Sequence, residues 1–205
     1  FLRELRTITE RSGTVYIWDE IVTGFRCAPG GAQEVFGVSA DIGTYGKVVG
    51  GGLPIGVIAG RRQFMDALDG GAWQYGDDSV PEVGVTYFAG TFVRHPLALA
   101  AAKAVLLHLK SSGPDLQRGI TDRAERLTET LNESFAAAGA PLEIRRFASI
   151  WKPFYTGDHP HGDLLFYLLR EAGVHIYDGF PCFMTTAHTE ADAAHVATAF
   201  KTAVA

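Results

Sequence analysis

"DIGTYGKVVGGGLPIGVIAG", Asp41 to Gly60, is the stretch on which the fold turns. Two short apolar segments, "DIGTYG" and "PIGVIAG", read as buried parallel strands. Between them Lys47 stands almost alone as a charge, followed by a glycine run. The run fails the phosphate-loop pattern, because no Ser or Thr follows the lysine, and it fails the G-x-G-x-x-G spacing of a dinucleotide turn. What remains is either a lysine in a flexible surface loop or an amine held among apolar neighbours. The apolar flanks predict the second, where a lysine gives up its proton more easily and serves as a nucleophile. The glycines allow the tight backbone path that such a turn needs.

Working outward, "TVYIWDE" (14–20) reads as a buried strand ending in two carboxylates, Asp19 and Glu20. Acids at the carboxyl end of a strand stand where open α/β sheets place ligands; an acid that caps a helix is the alternative. "IVTGFRCAPGGAQEVFGV" (21–38) is mostly loop with one helical turn. "RRQFMDALDGG" is a short helix stopped by Gly70-Gly71. "AWQYGDDSVPEVGVTYFAGTF" is a long loop rich in glycine and aromatics. "HPLALAAAKAVLLHLKSSG" is a helix with Pro96 in its first turn and Gly113 after its end. In the following segment Leu116, Ile120, Leu127, Leu131 and Phe135 share one helical face. Two strands, a helix, two more short strands in "VHIYDGFPCFMTT" and a last helix capped by Thr189 complete the pattern. The expected division is 1–112 for a first α/β domain and 113–205 for a smaller α/β domain.

Composition narrows the function classes. The chain has 205 residues, a net charge of -5, 47% hydrophobic and 20% charged residues. That is a globular composition, and the acidic balance argues against nucleic-acid binding. No apolar run approaches ~20 residues, so no membrane span is expected. Two distant cysteines, Cys27 and Cys182, fit reduced thiols and a cytoplasmic setting. His159 and His161 form an isolated H-x-H, which reads as a solvated loop, and no metal is expected. The chain opens "FLRELRTITERSG", without Met and already in helical register, so it is expected to enter its fold partway.

Lys47 and Asp19 gain meaning as a pair. Pyridoxal phosphate needs an amine for its aldehyde and an acid against its pyridinium nitrogen. The acid keeps that nitrogen protonated through a charge-assisted hydrogen bond. Gly90-Thr91, shortly before a helix start, offers a hydroxyl and backbone N–H groups to a phosphate; a routine capping loop is the alternative.

"WDEIVTGFR", "GKVVGGGLPIGVIAG" and "AGTFVRHPLALAAA" together resemble the class III aminotransferases, in the branch that includes glutamate-1-semialdehyde aminomutase. The resemblance implies the type I fold of pyridoxal-phosphate enzymes: part of the large domain plus a C-terminal small α/β domain. It implies Asp19 as the pyridinium partner, Ile21 as the apolar residue on the ring face and Lys47 as the Schiff-base lysine. Thr91 is implied as a phosphate ligand supplied across a homodimer interface. The family's glycine/serine turn for the phosphate and its ring-stacking aromatic belong to an N-terminal half that these residues do not match, so weak cofactor binding is expected of this chain alone. Val93-Arg94-His95-Pro96 stands where the aminomutases carry Ser-Gly-Asn-Pro. That departure, with "MDALDGGAWQYGDDSVPE" and "CFMTTAHTEADAAHV", looks more like the aminotransferase domains of hybrid polyketide–nonribosomal peptide synthetases. The implied reaction transfers an amino group from an amino-acid donor to a β-keto acyl chain on an acyl carrier protein. A free-standing aminomutase-like enzyme or other class III transaminase is the second reading, and an inactive fragment with a structural or dimer-contact role is the third.

Overall fold

The computed structural model describes residues 1–205 as two compact units, Phe1–Gly113 and Pro114–Ala205. The first unit opens with α1 (Leu2–Ser12), which stops at Gly13 in the left-handed conformation that glycine adopts without strain. Then follow β1 (Ile17–Asp19), α2 (Gly31–Phe36), β2 (Ile42–Tyr45), a 3-10 turn over Lys47–Gly50, β3 (Val57–Gly60), α3 (Arg62–Asp69) and α4 (Pro96–Ser112). Between α3 and α4 the chain is irregular.

The sheet of this unit has the order β1-β2-β3. β1 and β2 run parallel, with Asp19 opposite Thr44. β3 is antiparallel to β2, with Val57 opposite Tyr45. This corrects the expectation of buried parallel strands. Only a turn and a short loop join Tyr45 to Val57, too little for the crossover a parallel pair requires, so the chain doubles back. The strands are not deeply buried either: Ile17 is 58% and Ile58 52% exposed.

The glycine run has a packing role. Gly51, at φ 57°, lies so close to α4 that an added Cβ would stand 2.7 Å from the Val105 side chain. The lysine turn therefore rests directly on α4. The framework is tied at its other end by Asp41. This buried carboxylate accepts from the Tyr16 N–H at 2.8 Å and pairs with Arg6 (3.0 Å) and Arg61 (3.2 Å). It thereby joins α1 and the start of α3 to the sheet.

The second unit contains α5 (Asp115–Ala138), β4 (Leu142–Phe147), β5 (Ile150–Tyr155), α6 (Leu164–Glu171), β6 (Cys182–Phe183) and α7 (Glu190–Ala203). Its antiparallel sheet has the order β4-β5-β6. The face of α5 read from the sequence is the face that is buried: Leu127, Leu131 and Phe135 meet Trp151, Leu169 and Phe200. "VHIYDGFPCFMTT" forms one strand, not two. Val174 and Ile176 are buried, but their stretch is irregular, and the ladder starts at Cys182.

Candidate active site

Asp19 ends β1, and Lys47 comes three residues after Thr44, the β2 partner of Asp19. Because the two strands are parallel and adjacent, both side chains arise at the same end of the sheet. Three residues of chain span at most roughly 10 Å, which keeps Lys47 near the β1 terminus.

The carboxylate of Asp19 is oriented by its neighbours. Its Oδ1 accepts from the Ile21 N–H at 2.9 Å and lies 3.5 Å from the Thr44 hydroxyl. Both contacts use one oxygen, which leaves Oδ2 for a ligand. Ile21 turns back onto Gly46, where an added Cβ would stand 3.5 Å from Ile21 Cγ2 and 3.4 Å from the Ile55 carbonyl. Asp19, Ile21 and the Gly46–Lys47 corner thus form one cluster: a carboxylate, an apolar wall and an amine.

Lys47 itself is exposed, which corrects the expectation of a lysine enclosed by apolar neighbours. Its neighbours Val49 and Gly50 are the buried ones. The turn over Lys47–Gly50 sends them inward and leaves the lysine outward. Lys47 is also held at φ 43°, a left-handed conformation that a non-glycine residue adopts at a cost. The strain is local to the amine that the cluster presents.

Glu20, next to Asp19, does something else. It is fully buried and accepts from the Ala32 N–H at 3.0 Å, the Gln33 N–H at 2.9 Å and the Thr23 hydroxyl. It caps the start of α2 from twelve residues upstream. Gly31 makes room for it: a Cβ there would stand 2.5 Å from Glu20 Oε2. Of the two acids read as a pair, one faces the cluster and the other holds the loop behind it. Cys27 lies in that loop, its thiol donating to the Thr23 carbonyl at 3.0 Å. Burial, then the charge of Glu20, pushes the thiol above its usual range, so it stays protonated and does not compete as a nucleophile.

Thr91 belongs to the loop that leads into α4. It opens a turn, with the Val93 N–H donating to the Gly90 carbonyl at 3.1 Å, that precedes α4 by several residues. Its groove is lined by Pro54–Ile58 and by the residues around Gly90–His95, and neither Asp19 nor Lys47 lines it. The Thr44 contact to Asp19 and the Gly46 contact to Ile21 were missed from the sequence. Strand register was the signal that could have revealed the first, and a single sequence does not give register. No group of three or more His, Cys, Asp or Glu residues is placed to hold a metal, and no helix is long and apolar enough to cross a membrane.

A parallel strand pair that ends in an acid and a lysine, followed by a reversed third strand and a small α/β unit, belongs to the type I pyridoxal-phosphate-dependent transferase fold, of which this chain covers a part. The chain belongs to the class III aminotransferase family, whose model matches residues 1–198. It is 36% identical over 208 residues to a glutamate-1-semialdehyde 2,1-aminomutase 2 of Brevibacillus brevis, covering 94% of this chain and 45% of that protein. A glutamate-1-semialdehyde 2,1-aminomutase of Syntrophobacter fumaroxidans is 39% identical over 158 residues, 77% of this chain and 33% of its own length. A solved transaminase structure with pyridoxal phosphate bound superposes with a TM-score of 0.83 at 27% identity, over 99% of this chain and 46% of that one. The chain thus spans less than half the length of these relatives.

Proposed function

We propose that these residues serve a transaminase that moves an amino group from an amino-acid donor to a keto acceptor, with pyridoxal phosphate as cofactor. The observation that carries the reading is the cluster at the carboxyl ends of β1 and β2: Asp19 with Oδ2 open, Ile21 against Gly46, and an exposed Lys47. These groups fit the cofactor. Asp19 Oδ2 would accept the pyridinium N–H, Ile21 would cover a ring face, and the Lys47 amine would hold the aldehyde carbon. The Thr91 hydroxyl would donate to a phosphate, in the site of a partner subunit if the enzyme is a homodimer. When bound, the cofactor supplies an electron-accepting ring that stabilises negative charge at the substrate Cα.

The chain's own contribution is positional and protic. A charge-assisted hydrogen bond from the pyridinium N–H to the Asp19 carboxylate would fix the ring's orientation. The Lys47 amine, once free, would take the proton from the donor Cα in the first half-reaction and, in the second, deliver a proton to the former carbonyl carbon of the acceptor. Ile21 excludes water from one side of the reacting plane.

For the acceptor we propose a β-keto acyl thioester on an acyl carrier protein, supported by the departure at Val93-Arg94-His95. The identity to aminomutases favours the second reading, a free semialdehyde substrate. Supplying each acceptor to a polypeptide that carries these residues at the length of its class III relatives separates the two. Turnover of the carrier-bound thioester and not of the semialdehyde is expected; the reverse would hand the site to the aminomutase reading. In the same protein Lys47→Ala should remove the visible absorbance of the lysine-linked cofactor and cut turnover by at least roughly a thousandfold. Borohydride trapping of cofactor on any peptide other than the one containing Lys47 would refute the assignment.

A further inference from the structure

The groove that holds Thr91 has a chemical character of its own. It encloses about 900 Å³ and is walled by apolar residues of β3 and the start of α4. The side chains with polar atoms on its lining are Thr91, Arg94 and His95, and no carboxylate lines it. Arg94 takes part in none of the chain's ion pairs. Its guanidinium lies 5.3 Å over the Phe88 ring, which steadies its plane without neutralising its charge. Its backbone is held at φ 60°, one of four non-glycine residues at positive φ, a group that also contains Lys47.

We propose that Arg94 is a specificity-determining residue that binds an oxyanion of the acceptor substrate. The inference rests on the transaminase reading above, in which Thr91 brings this groove to a cofactor phosphate. A planar guanidinium pairs two oxygens of a carboxylate or phosphate at once, which ammonium does less well. The walls around Arg94 are apolar, which suits the uncharged chain of the acceptor proposed above better than a polar amino-acid donor. Arg94 is therefore matched to the acceptor. The apolar walls take the uncharged chain beyond the oxyanion. That oxyanion is either the carboxylate of a free keto acid or the phosphate of a pantetheine arm.

The test compares the holoenzyme with its Arg94→Ala and Arg94→Lys variants, all at the length of the class III relatives, on two acceptor pairs. One pair is a keto acid and its uncharged ketone analogue; the other is a β-keto phosphopantetheine thioester and its dephosphorylated form. Arg94→Ala should raise KM for the anionic member of one pair by roughly tenfold to a hundredfold, the worth of a charged hydrogen bond. KM for the uncharged member and the rate of the donor half-reaction should not move, and Arg94→Lys should recover part of the loss. The pair that responds identifies the source of the anion. Equal effects on charged and uncharged acceptors, or none, overturn the inference while leaving the transaminase reading intact. A wild-type holoenzyme that aminates no acceptor overturns the reading itself. Should Arg94→Ala not fold, the Arg94→Lys profile decides: a charged-acceptor KM as in wild type together with loss on the uncharged one rules the proposal out.

Discussion

The two units are built on opposite plans. Pro114–Ala205 closes around large side chains: Leu131, Phe135, Leu169 and Phe200 are all fully buried. Phe1–Gly113 buries only small apolar residues, Ala32, Val38, Val49, Ala98 and Ala102, together with two carboxylates, Glu20 and Asp41. It leaves an apolar cleft of about 670 Å³ between the β2–β3 face and α4, lined by residues such as Tyr45, Val57 and Leu106. The unit that carries the candidate chemistry is organised by polar ties and close glycine contacts. The other is organised by hydrophobic burial, which supplies most of the stability of small domains.

Separation gives the largest test of that contrast. Residues 114–205 produced alone should unfold in one cooperative transition and ignore a hydrophobic dye. Residues 1–113 alone should bind the dye strongly and melt without a sharp transition, because their apolar surface is open. A sharp transition from 1–113 and none from 114–205 would reverse the picture.

Single truncations sharpen it. Phe200→Ala removes a ring that touches Phe135 at 5.8 Å and Trp151 at 6.3 Å between centroids. The expected loss in denaturant unfolding of 114–205 is about 3–5 kcal/mol. Val49→Ala, the largest comparable change beside the lysine turn, removes only two methyl groups and should cost about 1–2 kcal/mol. Equal losses would mean that the first unit has a core after all.

What the sequence made legible follows the same line. The helices of the second unit, including the buried face of α5 and the Thr189 cap, follow from periodicity and capping, which are local. The placement of Asp19 at the end of one strand and of Lys47 just beyond the next was legible because it depends on residue type along short local segments. The antiparallel return of β3, the exposed placement of Lys47 and the caps reaching from Glu20 to α2 were not. Each depends on where distant backbone passes, and neither propensity nor spacing carries that information. Thr91 is a further case: its residue type suits a phosphate ligand, but the path that brings the Gly90–His95 turn beside Pro54–Ile58 is set by distant backbone and could not be read.

Acid provides a subtler probe. The Asp41 carboxyl is held below the usual carboxylate range, first by the Tyr16 N–H, then by Arg6 and the charge of Arg61, against the opposing effect of burial. A carboxyl lowered in the folded state is protonated more readily in the unfolded one. Its contribution is therefore whole above the ordinary pKa of ~3.9 and is lost as pH falls below that, through the folded value. Glu190, lowered first by Arg123, and Asp192, lowered first by the Thr189 N–H, give the second unit the same sign but sit in solvent. Added salt should flatten the acid response of the second unit and leave that of the first. Asp41→Asn should cost about 2 kcal/mol near neutral pH and remove the salt-insensitive part of the acid limb. An unchanged limb would mean that Asp41 does not tie α1 and α3 to the sheet.

The smallest expected effect lies at Thr189. Its hydroxyl accepts from the Asp192 N–H at 3.2 Å, and the Asp192 carboxylate accepts from the Thr189 N–H at 2.7 Å, a reciprocal capping box. Thr189→Ala should cost about 1 kcal/mol in the unfolding of 114–205, and Thr189→Ser almost nothing. The cost stays small because α7 is also anchored through Ala199 and Phe200, which remain buried whether or not its first turn frays. In α2 the cap and the anchor are one residue, since Glu20 both satisfies the helix start and fills the space that Gly31 leaves. Glu20→Gln should therefore cost more than Thr189→Ala, although it keeps the size of the side chain, because its amide NH₂ would then face the N–H of Gln33 or of Ala32. If the two substitutions cost the same, the buried carboxylate is not what holds the loop behind Asp19.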